Sequence, residues 1–511
     1  MHSFQQFRNE VLSALKKAGI KEPALEAPPE NVDADLAVPC FMLAKEMKKA
    51  PVLIAKELAG KIHSKSLIGK AEALGPYVNF SVNWDMFAPN LLEEIGENYA
   101  KKPAKKKALV EHTSINPNAS PHVGRSRNAI LGDSIVRVLN YSGFAVETHY
   151  FVNDIGKQIA MLVIGCKGKK TRELAFNDML KIYRDINAEL EANPDIETEI
   201  SALLNKLEAG DKKTIARFHE IVEICAKGQV GILSKLNINY DVFDYESQYV
   251  TGKKLPSVMK ALEKTGYVIT DDDNRRVLHL KDSDLPEGNK HLVVERSDGT
   301  SMYALRDIAY TIDKIKRAKD ANIVVLGEDH KLYFQQLAEV MRVLGYTPPK
   351  VVHYSFILLP SGKMSTRKGE VVLLEDLLNE ATDAALVEIK TRYPDLPKAE
   401  CVSRAEKIAV AAVRYGIIKV SPEKNIVFHL KDALRFEGDT GPYLQYTTAR
   451  ANSMLKKGKP VKKFDAALLK EMEELAVMRK LALFPGVVDA SATTLQPHLV
   501  ATYIHELADS F

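Results

Sequence analysis

Apolar residues recur at helical spacing from the start of the chain. Phe4, Phe7, Val11 and Leu15 share one face, with Ser3 as a candidate cap and Gly19 as a stop. Val52, Ala55, Ala59 and Ile62 predict a second helix, and YVNFSV at 77–82 alternates as a strand with one buried face does. Residues 1–85 therefore predict a small α+β domain. From Ala108 the pattern changes, and the short apolar runs ALVEHTS, FAVETHYFV, NIVVLGED and YSFILLP alternate with longer helical periods. That alternation predicts a parallel sheet with crossover helices, a fold that takes ligands at the carboxyl ends of its strands. Charged helical sequence at about 172–225 predicts a helical insertion. Beyond about 400 the strand signals fade and Ala- and Leu-rich periods predict an all-α bundle. The chain thus reads as multidomain α/β: a domain at 1–85, a lysine-rich linker at 86–107, a parallel-sheet domain at 108–399 and a helical domain at 400–511.

The composition, 46% hydrophobic and 27% charged over 511 residues, excludes a wholly disordered chain. A net charge of +4 is too small to imply nucleic-acid binding, so any basic surface must come from local clusters. KKPAKKK at 101–107 is one such cluster; a solvated linker is its ordinary reading, and a strip against phosphate the alternative. Cys40, Cys166, Cys225 and Cys401 lack metal-ligand spacing and suit a reducing compartment. The most apolar segment, IAVAAVRYGIIKV, is broken by Arg414 and Lys419, short of the ~18 apolar residues of a membrane helix. MHSFQQFRNE lacks the apolar core of a signal peptide, so a cytoplasmic protein without membrane contact is expected.

Three segments carry candidate chemistry. VEHTSINPNASPHVGRSRNAILGDSIVRVLN, from Val110, runs from a strand through a polar loop into a helix. Ser120 is the candidate cap, Pro121 lies in the first turn, and Leu131, Ile135, Val138 and Leu139 form the buried stripe. His122 and Gly124 then sit at a helix N-terminus, where free N–H groups and the dipole favour an anion. LLPSGKMSTRKGEVVLLEDLL, from Leu358, places Lys363, Arg367 and Lys368 on a loop after a strand, where they could neutralise a triphosphate as pyrophosphate leaves. In SMYALRDIAY, Ser301 is a candidate cap, and Tyr303 and Asp307 are four apart on one helix face. Taken singly, each has a plainer reading: a capping histidine, a solvated basic loop, a surface helix pair.

Together, HVGR and KMSTRKG resemble the two signature sequences of the class I aminoacyl-tRNA synthetases. With GEDH at 327–330 and DALRFEGDTGPYLQYTTAR at 432–450, nearly the whole chain resembles the arginyl-tRNA synthetases of archaeal type. The resemblance implies a Rossmann-like catalytic domain, an N-terminal domain touching the outer corner of tRNA, and a C-terminal bundle gripping the anticodon arm. It implies ATP binding by Pro121, His122, Gly124, Lys363, Met364, Ser365 and Lys368, with His122, Gly124, Arg125, Lys363 and Lys368 in catalysis. Arginine would be held by Glu111, Asn116, Tyr303, Asp307 and His330, since a guanidinium calls for a carboxylate, preferably with fork geometry. Tyr443, Gln445, Tyr446 and Arg450 would meet tRNA, with Lys456, Lys457, Lys459, Lys462 and Lys463 near the phosphates. The implied reaction joins L-arginine to the terminal adenosine of arginine tRNA through an adenylate, with activation awaiting tRNA. Magnesium accompanies ATP, no protein-held metal is needed, and the chain acts as a monomer.

The chain departs from the family pattern at Arg125, where a histidine is usual, and at Thr366, where a lysine is usual. Family members usually continue for several helices beyond ATYIHELADSF, so either a truncated or a naturally short bundle is expected. Two other functions stay in view: a non-catalytic RNA-binding relative and a small-molecule nucleotidyltransferase.

Overall fold

The computed structural model describes residues 1–29, 31–63, 66–118, 120–250, 254–359, 362–363, 372–458 and 465–511, with backbone alone for Leu359, Gly362 and Lys363. Met364, Ser365, Thr366, Arg367 and Lys368 lie outside them, as do Lys459, Lys462 and Lys463 and the side chain of Lys363.

The chain divides into two compact units. The larger holds residues 103–446 and 491–501, and a parallel sheet forms its centre. Strand β1 (Lys106–Glu111) leads into helix α1 (Val123–Tyr141), then β2 (Phe144–Val152). The helical insertion follows: α2 (Phe176–Ala192) and two further helices, Asp195–Glu208 and Lys212–Ser234. After it come β3 (Val242–Tyr245), α3 (Tyr303–Ala318), β4 (Ala321–Gly327), α4 (Lys331–Val343) and β5 (Lys350–Tyr354). The five strands are parallel in the order β5-β4-β1-β2-β3. The order reverses between β1 and β4, so their carboxyl ends flank the crevice where such sheets bind ligands.

Apolar residues cover both faces of the sheet. Tyr150 and Val152 join Met179, Ile182, Phe218 and Cys225 of the insertion in one core. Val110, Ile323 and Val325 pack with Leu131, Ile135 and Leu139 of α1 in another. The contact between α1 and β1 is close at Gly132, where a Cβ would lie 2.2 Å from the buried His112 ring.

The smaller unit comprises residues 1–102, 447–490 and 502–511. A three-stranded antiparallel sheet (Leu36–Pro39, Ile68–Leu74 and Tyr77–Val82) packs with the helices Ser3–Lys17, Pro51–Lys61 and Trp84–Glu94 around Phe7, Leu58, Phe80 and Phe87. Ala466, Met478 and Ala482 complete the same core. Arg479 ties that distant segment down, donating to Asp35 at 2.9 Å and Asp33 at 2.7 Å, and Tyr99 donates to the Leu481 carbonyl at 3.1 Å.

Several local expectations change. None of the three serines caps its helix. Ser3 lies inside the helix and donates to Glu94 at 2.5 Å, while Ser301 Oγ accepts from Arg306. Residues 121–123 pair instead with 372–374, through Val123 N to Val372 O (3.0 Å) and Leu374 N to Pro121 O (2.9 Å), so α1 starts three residues after Ser120 with His122 at its N-cap. The early helix buries Ile54, Ala55 and Leu58, whereas Val52 is exposed. Much of the expected linker is structured, as a helix to Glu94 and a strand from Lys106. The insertion extends to Ser234, and YSFILLP is divided between β5 and a short strand at Ile357–Leu359.

Candidate active site at the carboxyl ends of β1 and β4

The loop leaving β1 is held in an unusual conformation. Thr113 and Ser114 both have positive φ, 75° and 41°, which costs about 1–3 kcal/mol per non-glycine residue. Asn128 of α1 fixes the bend: its Oδ1 accepts from Thr113 N at 2.6 Å and its Nδ2 donates to Val325 O at 2.9 Å. The loop therefore presents Asn116 to solvent, where it and Asn118 donate to Gln158 Oε1 at 3.0 and 3.2 Å.

At the end of β1, Glu111 is buried and ion-paired to Lys314 of α3, which is itself buried. The Lys314 ammonium lies 4.3 Å from the centroid of the Tyr310 ring. One turn from Tyr310 towards the start of α3, Asp307 accepts from Tyr333 Oη of α4 at 2.8 Å, and the half-exposed Tyr303 ring stands 5.2 Å from that of Tyr333. Thus Tyr303 and Asp307 do share a helix face, and both converge on Tyr333.

Sequence reasoning missed Glu246, just after β3. It is buried, accepts from Arg306 Nε at 2.6 Å, and its charge reaches Asp307. Burial pushes the Glu246 carboxyl up to about 7, although Arg306 pulls the other way. Burial likewise pushes Asp307 up to about 6, with Tyr333 opposing and the charge of Glu111 reinforcing the shift. Two carboxyls with raised pKa values beside two tyrosines make a side-chain cluster that favours a cation. The available signal was an acidic residue at the end of a strand, FDYES.

Pro121, His122, Gly124 and Arg125 gather at the start of α1. Pro121 is buried, Arg125 is exposed, and His122 Nδ1 is buried without a hydrogen-bond partner among the described residues. Burial and the Arg125 charge push His122 down to about 4, so the ring is neutral near pH 7. Arg127, two residues on, is buried and donates to the carbonyls of Ser355, Phe356 and Ser421, tying α1 to the segment after β5. His330 is exposed, with Asp329 3.7 Å away, and it makes no hydrogen bond to Glu111 or Asp307. Tyr443, Gln445, Tyr446 and Arg450 lie on the helix Gly441–Lys457, with Gln445, Tyr446 and Arg450 exposed. Tyr446 also lines a cavity of about 720 Å³ with Arg392, Lys431, Arg435 and Phe436.

Three family profiles match in order: the arginyl-tRNA synthetase N-terminal domain over residues 5–82, the catalytic domain of class I tRNA synthetases (R) over 88–430, and the DALR anticodon-binding domain over 444–511. The arginine–tRNA ligase of Methanocella arvoryzae is 39% identical over 492 residues, 94% of this chain and 86% of that one. That of Methanothermobacter thermautotrophicus is 39% identical over 99% of this chain and 91% of its own. The arginyl-tRNA synthetase of Thermus thermophilus superposes with a TM-score of 0.84 at 27% identity, over 99% of this chain and 90% of that chain. Three profiles in order, near-full-length relatives and the superposition converge: the chain belongs to the arginyl-tRNA synthetase family, class I enzymes that ligate arginine to tRNA.

Proposed function

We propose that this arginine–tRNA ligase seats its amino acid between α3 and the ends of β1 and β3, and its ATP at the start of α1. The observation that carries the reading is the carboxyl pair Asp307 and Glu246 beside Tyr303 and Tyr333. A guanidinium entering this cluster restores the charge that burial suppresses, and the fork of Asp307 matches its donors. Glu111 has one oxygen engaged by Lys314, while the other accepts only a long 3.5 Å contact from Ser114 Oγ and, with Asn116, can take the α-amino end of the substrate. His330 contributes from the rim.

In the activation step an oxygen of the arginine carboxylate bonds to the α-phosphorus of ATP. The bond from that phosphorus to the oxygen bridging to the β-phosphate breaks, and the electron pair leaves with pyrophosphate. In the second step a hydroxyl of the terminal adenosine takes the arginyl group and AMP leaves. Neither step needs a covalent enzyme intermediate, so the chain contributes positioning and charge. Neutral His122 donates one hydrogen bond to phosphate oxygen, Pro121 and Gly124 let the nucleotide approach the helix start, and Arg125 supplies a cation. Lys363, Met364, Ser365 and Lys368 complete the ATP site in this reading. Magnesium arrives on the phosphates, mostly water-ligated; among the described residues no group of three or more His, Cys, Asp or Glu could hold a metal. The exposed Tyr446 and its neighbours Tyr443, Gln445 and Arg450 offer stacking and hydrogen bonds to unpaired tRNA bases. The four free cysteines are buried, in keeping with a cytoplasmic setting, and the working form is taken to be the monomer.

The test is arginine-dependent exchange of pyrophosphate into ATP, with and without arginine tRNA. Exchange that requires both arginine and tRNA is expected. Its absence with both present, while tRNA still binds, would favour a non-catalytic RNA-binding relative.

The pKa shifts add a pH prediction. Carboxyls raised to about 6 and about 7 are protonated in the empty site at acid pH and ionise as pH rises. Arginine binding should therefore strengthen between about pH 5.5 and 7.5, read as a falling KM for arginine, with protons released into the buffer by calorimetry. In the ligand-free chain the sign for stability is opposite. A carboxyl raised above its unfolded value favours folding most at acid pH, and that contribution is lost as pH rises from about 4, the unfolded value, through the folded values of about 6 and about 7.

A further inference from the structure

The helical insertion brings three residues of its own, Leu180, Tyr183 and Arg184, to the start of α1. A cavity of about 190 Å³ is lined on one side by Ser120, His122 and Arg125, and on the other by Tyr183 and Arg184 of α2. It is smaller than the ~300 Å³ at which pockets begin to take whole drug-sized ligands, so it suits part of a molecule. Its wall is short of partners. Among the described residues, Ser120 Oγ and His122 Nδ1 are shielded from solvent without a hydrogen bond, an arrangement rare enough to need a cause.

Its two cations are also unengaged. Neither the Arg125 nor the Arg184 guanidinium has a hydrogen bond or carboxylate partner among the described residues. Arg217, elsewhere in the insertion, shows the contrast: it pairs with Glu220 at 2.9 Å and donates to the carbonyls of Cys166 and Lys169. Two planar guanidinium groups and two unsatisfied polar atoms around one small space call for a multiply charged oxyanion. The carboxylates that could have neutralised them are absent from the described cavity wall.

We propose that Arg184 of the insertion, together with Arg125, holds the phosphate chain of ATP and the pyrophosphate that leaves, so that the insertion forms one wall of the nucleotide site. This rests on the reading of α1 as the ATP end of the active site. Arg184 grips the leaving group from the side opposite His122, and the growing charge on the departing phosphates strengthens the contact. Ser120 Oγ lies where it can donate to the same oxygens.

The experiment measures pyrophosphate exchange at saturating arginine and tRNA for the wild-type chain, Arg184→Gln and Arg184→Lys, alongside tRNA affinity by filter binding and inorganic pyrophosphate binding by calorimetry. In Arg184→Gln the KM values for ATP and pyrophosphate should rise about tenfold or more, while the KM for arginine and the Kd for tRNA stay within about twofold. Arg184→Lys should recover part of the loss, since it restores charge but not the fork. Unchanged ATP and pyrophosphate constants would overturn the proposal, and a raised tRNA Kd alone would move Arg184 to the nucleic acid. A wild-type chain silent in exchange would remove the reaction itself, yet pyrophosphate calorimetry on the two variants would still report on Arg184. Because Arg184 is exposed, thermal melting of the variants should match the wild type, so loss of fold would not mimic the expected result.

Discussion

Asp307→Asn should lower kcat/KM for arginine by about 10³-fold, equivalent to about 4 kcal/mol, while the KM for ATP changes by less than about twofold. The substitution keeps size and shape and removes only the negative charge. The new amide could still accept a hydrogen bond from Tyr333, so the cluster should stay folded. A guanidinium would lose its charged partner and meet an amide that offers donors to a donor. Asp307→Ala should be at least as damaging, since the Tyr333 hydroxyl also loses its acceptor. Steady-state kinetics with arginine varied at fixed ATP decides the matter. An unchanged arginine KM in Asp307→Asn would remove Asp307 from the recognition site and leave Glu246 as the carboxyl to test. The pH window should also narrow, because one of the two raised carboxyls is gone.

Lys314→Met should destabilise the larger unit by about 3–5 kcal/mol, because it leaves Glu111 buried without its counter-charge. The double variant Glu111→Gln with Lys314→Met should recover much of the lost stability, as replacing a whole buried pair by neutral groups is often near neutral. Activity should not return with it, since the substrate amino group has lost its carboxylate. Denaturant titration of the single and double variants, paired with the exchange assay, separates the two effects. A single variant as stable as wild type would mean that water or another cation reaches Glu111.

The frame of the catalytic domain was legible because its signals are local. Short apolar runs bounded by polar turns marked β1, β2 and β4, and a four-residue spacing put Tyr303 and Asp307 on one face. What stayed hidden depends on partners far along the chain. Lys314 stands in DKIKRAK, which reads as a solvated helix face, and it is buried because Glu111, 203 positions away, meets it there. Arg127 follows HVGR as one more apparent surface cation, yet it satisfies carbonyls 228 and 294 positions away. Glu246 offers only its place at the end of a strand, and its role depends on Arg306 and Asp307, 60 and 61 positions away, folding beside it. The caps failed for a related reason: Ser120 has the right chemistry, but strand pairing with residues 372–374 takes over the place where the helix would start. Composition likewise marked 101–107 as a solvated run, although its last two lysines begin the central strand.

The core of the smaller unit sets a timetable for the ribosome. Phe7, Leu58 and Phe80 share their interior with Ala466, Met478 and Ala482, and Arg479 reaches Asp33 and Asp35. The amino-terminal part is synthesised first, but the residues that finish its core emerge roughly 380 residues later, on the order of 20–80 s at bacterial or eukaryotic elongation speeds. During that interval its apolar flank has no intramolecular cover. Nascent chains halted near residue 440 should accordingly show protease-sensitive amino-terminal segments and recruit holdase chaperones, and release past residue 490 should end both.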